Sequence, residues 1–583
     1  MKKVFPFLLV PIFLLLACNL SSTPTPAVAP PAETQTATPV LNITIAPTLT
    51  PTTYVPPEHH IGTRVVDGVG EFYDRQSGER FVPRGVNYFY IIPAAGGFQD
   101  RFFGVDVYDH ERVAADFQQL SELGYNTVRI FLDTCNGGTG CIGNPSGRGL
   151  NPEYLDNIVD TMQLAKQHGL YLLLTSNDLP DQGGYWDLSN QGSNENFEGY
   201  RNAHYLTLKG VQSAQLYWGD LMQGLTERHA PFDALLGWSL LNEQWFFNDT
   251  PPFSLNTGRV TTANGNSYDL SDPEQKRAMA IEGITYYIEV VRETILAADP
   301  TALITMGFFH PDYPNPTRIG DFRYVETAPL LGSTPLDFYD FHAYPGVELD
   351  MESYVENFGM LGYDEKPIIM GEIGAFLDSY PTIETAAPAI QNWIAASCEY
   401  GYDGWLYWGL YRAPEAIGDA TWGFKDAENT MMNALAPSNQ PDACVTTDLT
   451  ISNLAYGKAA TASNALDIEP PENAVDGSSF QWGSGGDAPQ WIEIDLGEPA
   501  TVEEIRLLVG QWPPGETVHQ VWVGPSNADL RQVHEFRQST DEGDLLTLTP
   551  DSPLTDIQII RIVTVSSPSW VSWKEIEVIG SFP

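Results

Sequence analysis

Two apolar runs in this chain end on a glutamate: Gly237-Trp-Ser-Leu-Leu-Asn-Glu243 and Pro367-Ile-Ile-Met-Gly-Glu372. A pair of carboxylates held close together can break an acetal bond. One, kept protonated, gives its proton to the leaving oxygen, while the other, kept ionised, attacks the carbon. Their environments must therefore differ. Asn242, directly before Glu243, is placed where an amide can hydrogen-bond a hydroxyl beside the reacting carbon. Arg129, near the end of another apolar run, can hold Glu372 ionised by charge and hydrogen bonding.

Such groups need a frame that brings distant segments together. Between residues 60 and 440, short apolar runs alternate with stretches of helical period; the runs are 81–87, 126–131, 170–174, 235–241, 302–307, 337–342, 367–371 and 404–408. Val113, Phe117, Leu120 and Leu123 recur at helical spacing, as do Leu155, Ile158, Met162 and Ala165. This order predicts an α/β fold of the (β/α)8 (TIM) barrel type, in which sites are built at the C-terminal ends of the strands. Those ends carry Asn87 and Tyr88, Arg129, Ser176 to Asp178, Asn242 and Glu243, His310, His342 and Tyr344, Glu372, and Trp408. The segment 179–200, with Tyr185 and Trp186, and the aromatic trio Trp245, Phe246 and Phe247 read as loops walling a cleft. An endo-acting groove and a pocket with few subsites both fit.

At these residues the chain resembles the clan A glycoside hydrolases, family 5 above all. Besides the two glutamate segments, Arg84-Gly85-Val86-Asn87, Asn126-Thr-Val-Arg129, the pair His342 and Tyr344, and Trp408 match the family's motifs in order. The resemblance implies a retaining glycosidase cleaving β-linked glycan, β-glucan or β-mannan first, through a covalent glycosyl-enzyme intermediate and without a catalytic cofactor. It implies Glu243 as acid/base, Glu372 as nucleophile, Asn242 as the 2-hydroxyl contact, His342 and Tyr344 as orienting groups and Trp408 as sugar platform. Arg129 and Asn87 join the substrate-binding set. The chain departs from the family at the end of strand three, where Thr175-Ser176-Asn177-Asp178 stands in place of a histidine. A transglycosylase would use the same carboxylates, and a non-catalytic carbohydrate-binding surface protein would have lost one of them.

Beyond residue 450 helical period gives way to alternation, as in Trp491-Ile-Glu-Ile-Asp-Leu496, which predicts an all-β jelly-roll or sandwich. Asn453-Leu-Ala-Tyr-Gly-Lys458, Ala474-Val-Asp-Gly477, Trp482 and Trp573-Lys-Glu-Ile-Glu-Val578 resemble the coagulation factor 5/8 type C, or discoidin, domain. In glycosidases such domains resemble carbohydrate-binding module family 32, which implies sugar binding through loop aromatics and a structural calcium ion. Trp512 and Trp570, in Pro- or Ser-flanked turns, are the stacking candidates, and Asp476 and Glu575 the hard-oxygen ligands. Trp491 and Trp522 alternate with strand residues and read as core.

The remaining features place the molecule. The 583 residues carry a formal charge of -46, which disfavours nucleic acid and anionic membrane surfaces. Lys2 and Lys3, an apolar run and Ala17 before Cys18 follow the export pattern, and Leu15-Leu16-Ala17-Cys18 resembles a bacterial lipobox with Cys18 as the lipidated residue. The Thr/Pro-rich stretch that follows reads as a disordered tether. The expected organisation is a signal peptide (1–18), tether (19–58), barrel (59–437), linker (438–449) and β-domain (450–583). The chain is thus expected outside the cell, lipid-anchored, as a monomer whose partner is a glycan. Export permits disulfides; Cys135 with Cys141 is expected as a loop staple, and Cys398 is expected to pair with Cys444.

Overall fold

All eight apolar runs form strands of one parallel barrel. In the computed structural model the strands are β1 (Arg84–Asn87), β2 (Thr127–Leu132), β3 (Tyr171–Ser176), β4 (Leu235–Ser239), β5 (Ile304–Thr305 and Gly307–Phe308), β6 (Tyr339–His342), β7 (Ile368–Ile373) and β8 (Trp405–Trp408). The structure describes residues 54–440 and 452–582 except 67, 95–96, 133, 137, 139, 312–321, 347–348, 414–419, 467, 477–479 and 551. The expected export signal, Cys18, most of the tether, and Cys444 lie outside the described residues. Strand β5 closes the ring in two pieces, the first bonded to β4 and the second to β6. Gly307 begins the second piece, and a Cβ there would lie 1.8 Å from the Asn242 carbonyl oxygen, so only glycine lets the strand come that close.

Inside the lower end of the barrel, Leu173, Leu236, Leu303, Phe338, Ile369 and Leu406 meet Ile61 and Phe72 in one buried cluster. The last two belong to an antiparallel hairpin, Ile61–Val66 with Val69–Asp74, that closes the barrel from below. Around it run α1 (His110–Glu122), α2 (Pro152–His168), α3 (Leu208–Glu227), α4 (Pro273–Leu296), α5 (Met351–Phe358) and α6 (Ile383–Glu399). Five of these six starts are chemically marked: Asp109, Asn151, Thr207, Asp272 and Asp350 each accept a backbone N–H of the first turn. The helical spacing read from α2 is borne out, with Leu155, Ile158, Met162 and Ala165 all buried. Between β5 and β6 the described residues hold a 3-10 turn, Ala328–Leu330, in place of an α-helix.

One loop reading is corrected. Segment 179–200 contains a short helix, Tyr185–Asn190, and Tyr185 is fully buried, donating to Asp220 at 2.6 Å. It packs the segment down; Trp186, half-buried against Tyr200, keeps the position expected of a wall.

The C-terminal residues form an all-β antiparallel domain. Its spine is a strand of 20 residues, Gln490–Val509. The first half of that strand pairs with Ala459–Ala462 and Leu554–Ser566, the second with Trp570–Ser581 and Leu545–Leu548. Ile492, Ile494 and Leu496 point into the core with the fully buried Trp482 and Trp573. The assignment of Trp491 and Trp522 to the core is therefore overturned. Both are half-buried on the outward phase of their strands, Trp491 under the Arg561 guanidinium at 5.0 Å. Alternation was read correctly, but aromatic bulk was mistaken for inward direction.

Candidate active site

Strand register sets the site. Asn87 pairs with both Arg129 and Trp408 across β1, and His342 pairs with Glu372 across β6 and β7. These residues share one layer at the C-terminal rim, and Asn242 and Glu243 join it just beyond β4. A side chain at Gly371 would bring its Cβ within 1.7 Å of Asp340 Oδ1, so glycine is what lets β7 present Glu372 beside β6.

Arg129 is the hub. Fully buried, it donates from Nη1 to Glu372 Oε1 at 2.7 Å and to Asn87 Oδ1 at 2.9 Å, and from Nη2 to Asn242 Oδ1 at 2.8 Å. Tyr344 donates its hydroxyl to the other oxygen of Glu372 at 2.7 Å. Glu243 meets Nδ1 of His342 at 2.8 Å, and the same nitrogen stands 3.3 Å from Glu372 Oε2. Glu372 is 6 % exposed at its side chain and Glu243 28 %, so the second carboxylate is the one open to solvent. Oxygens of the two glutamates and a nitrogen of His342 all lie within 4.8 Å of one another. Arg129 and Tyr344 already occupy both oxygens of Glu372, and the guanidinium supplies the positive charge there. The trio therefore reads as a hydrogen-bond network more readily than as an ion cage.

The charges follow from these contacts. Burial alone would lower the His342 pKa, but the Glu372, Asp340 and Glu243 carboxylates around it push it up to about 10. Burial acts to raise Glu243, yet the His342 hydrogen bond and charge, with Arg323 and His310 beyond, bring it below the usual carboxylate value. Glu372 moves up through burial and the charge of Glu243, against His342, Arg129 and Tyr344. The Tyr344 hydroxyl, buried against Glu372, is held well above its ordinary range and stays a donor.

The residues expected here divide into two groups. Glu243, Glu372, Asn242, His342, Tyr344 and Trp408 are brought together at the rim. Trp408 is half-buried and wedged against Phe89 at 4.5 Å and Phe131 at 5.7 Å. Asn87 and Arg129 are corrected as substrate contacts: both are fully buried, Asn87 donating to the carbonyls of Gly371 and Leu406 at 2.9 and 3.2 Å. They sit under the layer and hold it.

Two features were missed. Asp340, fully buried beneath His342, lies two residues before it and so on the same strand face, a signal the sequence does carry. Asp178, where the family's histidine is absent, binds Arg201 at 3.1 Å; Arg201 donates to the Glu243 carbonyl oxygen at 2.5 Å and stacks over Trp245 at 4.3 Å. That link spans segments too far apart in sequence to be foreseen.

Elsewhere Cys135 and Cys141 are bonded as expected. Cys398 is also in a disulfide. In the β-domain Trp512 and Trp570 are 70 % and 55 % exposed. Asp476 and Glu575 both face the Tyr380 and Tyr456 phenols, whose ionisation they oppose. Among the described residues no cluster of three metal-binding side chains includes either acid.

Residues 94–413 match the model of the cellulase family, glycosyl hydrolase family 5, and residues 459–576 that of the F5/8 type C domain. Among solved structures, an exo-β-1,4-mannosidase from Opitutaceae bacterium strain TAV5 is similar over 65% of this chain and 63% of its own, at 17% identity and TM-score 0.42. A family 32 carbohydrate-binding module of C. perfringens, solved with galactose, is similar over 22% of this chain and 97% of its own, at 20% identity and TM-score 0.20. A chitosan-binding module from Paenibacillus sp. IK-5 is similar over 22% of this chain and 99% of its own, at 26% identity and TM-score 0.19. No curated protein sequence matches the chain.

Proposed function

This chain belongs to glycosyl hydrolase family 5, and from that membership we propose that it cleaves β-linked polysaccharide with retention, Glu372 attacking and Glu243 serving as acid and base. The observation that carries this reading is the spacing. Retaining enzymes hold their carboxyl groups about 5–5.5 Å apart and inverting ones leave room for a water between; here oxygens of Glu243 and Glu372 lie within 4.8 Å. The donors divide the roles. Arg129 and Tyr344 both point hydrogens at Glu372, aiming it at the reacting carbon and offsetting part of the rise that burial and the Glu243 charge impose on it. Glu243, more open to solvent, is the carboxyl a leaving group can reach.

The lowered pKa of Glu243 runs against what a general acid needs, and His342 reconciles the two. Nδ1 of His342 stands 2.8 Å from Glu243 Oε1, so a proton carried on that nitrogen can arm the acid by a short transfer without uptake from solvent. Asn242, its oxygen held by Arg129, keeps its amide N–H2 for a sugar hydroxyl, and Trp408 offers a ring face for stacking. Family membership makes β-glucan and β-mannan the first substrates to try. The exposed Trp512 and Trp570 support a sugar-binding role for the β-domain that keeps the enzyme near its polymer.

A panel of polysaccharides should yield a substrate whose product, followed by proton NMR at early times, keeps the β configuration. Initial release of the α-anomer would overturn the retaining mechanism. Glu372→Gln should abolish turnover. Glu243→Gln should slow natural substrates at least about a hundredfold while sparing aryl glycosides whose leaving group needs no acid.

A further inference from the structure

Beneath the two glutamates lies a third carboxylate that the double displacement does not call for. Asp340 is wholly buried, and among the described residues neither of its oxygens has a hydrogen-bond partner. Such a group is costly unless its charge is used. Its neighbours are cationic: Nε of Arg129 stands 3.5 Å from Oδ2 and Nε2 of His342 stands 3.6 Å from Oδ1. Both separations exceed a good hydrogen bond, so the coupling is chiefly by charge across a dry layer. We propose that Asp340 is a positioning residue that fixes the charge and tautomer of His342, making Asp340, His342 and Glu243 a proton relay to the leaving oxygen. The proposal rests on the glycosidase reading of Glu243.

Geometry gives each nitrogen of His342 one task. Nδ1 faces Glu243 at 2.8 Å and Glu372 at 3.3 Å. Nε2 faces Asp340 at 3.6 Å and Nη2 of Arg129 at 3.5 Å, while the shorter bond of that Nη2 goes to Asn242 at 2.8 Å. The groups around the imidazole are therefore Glu243 beyond β4, Glu372 on β7, Arg129 on β2 and Asp340 on β6 itself. When His342 holds one proton, an Asp340 anion favours it on Nε2, and Nδ1 is left to serve Glu243.

In the first half-reaction the Nδ1 proton passes to Oε1 of Glu243 and the Glu243 proton to the glycosidic oxygen. That oxygen keeps the electron pair of the broken bond, and the sugar carbon bonds to Glu372. His342 is then neutral, its remaining proton on Nε2. In the second half, Glu243 takes a proton from the attacking water and returns one to Nδ1 as the ester to Glu372 breaks. The register leaves Asp340 no other place, since Gly371 is open only far enough to admit its carboxylate.

The test uses the full chain and two readouts. NMR titration of the His342 imidazole, assigned by the signal lost in His342→Gln, should give a wild-type midpoint above about 8, against an ordinary value near 6.5. The midpoint should fall by a unit or more in Asp340→Asn. In parallel, the alkaline limb of kcat/KM for a substrate with a poor leaving group should move to lower pH by a similar amount, with little change for an activated aryl glycoside. An ordinary wild-type midpoint, or one unmoved by the substitution, overturns the proposal. If Asp340→Asn does not fold, Asp340→Ser takes its place in both readouts. If no glycoside is turned over, the glycosidase reading fails, and the imidazole titration still judges whether Asp340 controls His342.

Discussion

Glu372 accepts a hydroxyl and a guanidinium, both at 2.7 Å, whereas Glu243 leans on one imidazole. That asymmetry makes Tyr344 testable alone. A hydrogen bond to a charged group is worth about 1.5–3 kcal/mol, so Tyr344→Phe should lower kcat/KM by roughly ten- to a hundredfold in steady-state assays while the melting temperature holds. His342 bears on stability as well. Its folded pKa of about 10 lies above the ordinary 6.5, so its stabilising contribution is complete below 6.5 and is lost as the pH climbs through 10. Urea unfolding at pH 6 and pH 10 should show a fall in stability that His342→Gln reduces. Glu243, Glu372 and Asn242 were legible as residues because each ends or follows an apolar run. Asn87 and Arg129 were placed at the right strand ends but on the wrong side of the layer. Sequence gives a residue's height along a strand; whether it meets solvent depends on neighbours from other strands.

Strand spacing is fixed by what is missing at two glycines. Restoring a methyl at Gly371 would drive it into Asp340, and overpacking of this kind costs about 1–3 kcal/mol. Gly371→Ala should therefore unfold at lower temperature and lose activity beyond that loss, because Glu372 follows directly. The Cys135–Cys141 bond closes a small loop, six residues apart in sequence. Replacing both with serine should cost about 2 kcal/mol by loop entropy, read from urea midpoints. All eight strands were visible in advance because buried parallel strands read as continuous apolar runs. The helix at Tyr185–Asn190 was not, since six residues are too few to show a period. The outward tryptophans misled for a related reason: a large ring covers surface on either face of a sheet.

At the scale of the whole molecule, two exposed tryptophans, Trp512 between strands and Trp570 at the first position of one, stand apart from a surface dominated by acidic charge. If they hold a glycan, Trp512→Ala with Trp570→Ala should weaken retention on insoluble polysaccharide about tenfold in a pull-down assay, with kcat on short soluble substrates unchanged. Both were expected in turns, which holds for Trp512, whereas Trp570 opens a strand and pairs with Asp487, because the Ser-rich stretch before it reads as a turn one residue too far. The lower end of the barrel has a consequence for the upper one. The chain arrives there, Tyr54 donating to the Ala230 carbonyl and His59 meeting Asp299 at 2.9 Å, just before the starts of β4 and β5. It also departs there, Ser438 donating to the carbonyl of Leu123, ahead of β2. Both described ends of the barrel therefore lie on the face opposite Glu243 and Glu372, so trimming at either end disturbs the lower cluster before it reaches those carboxylates.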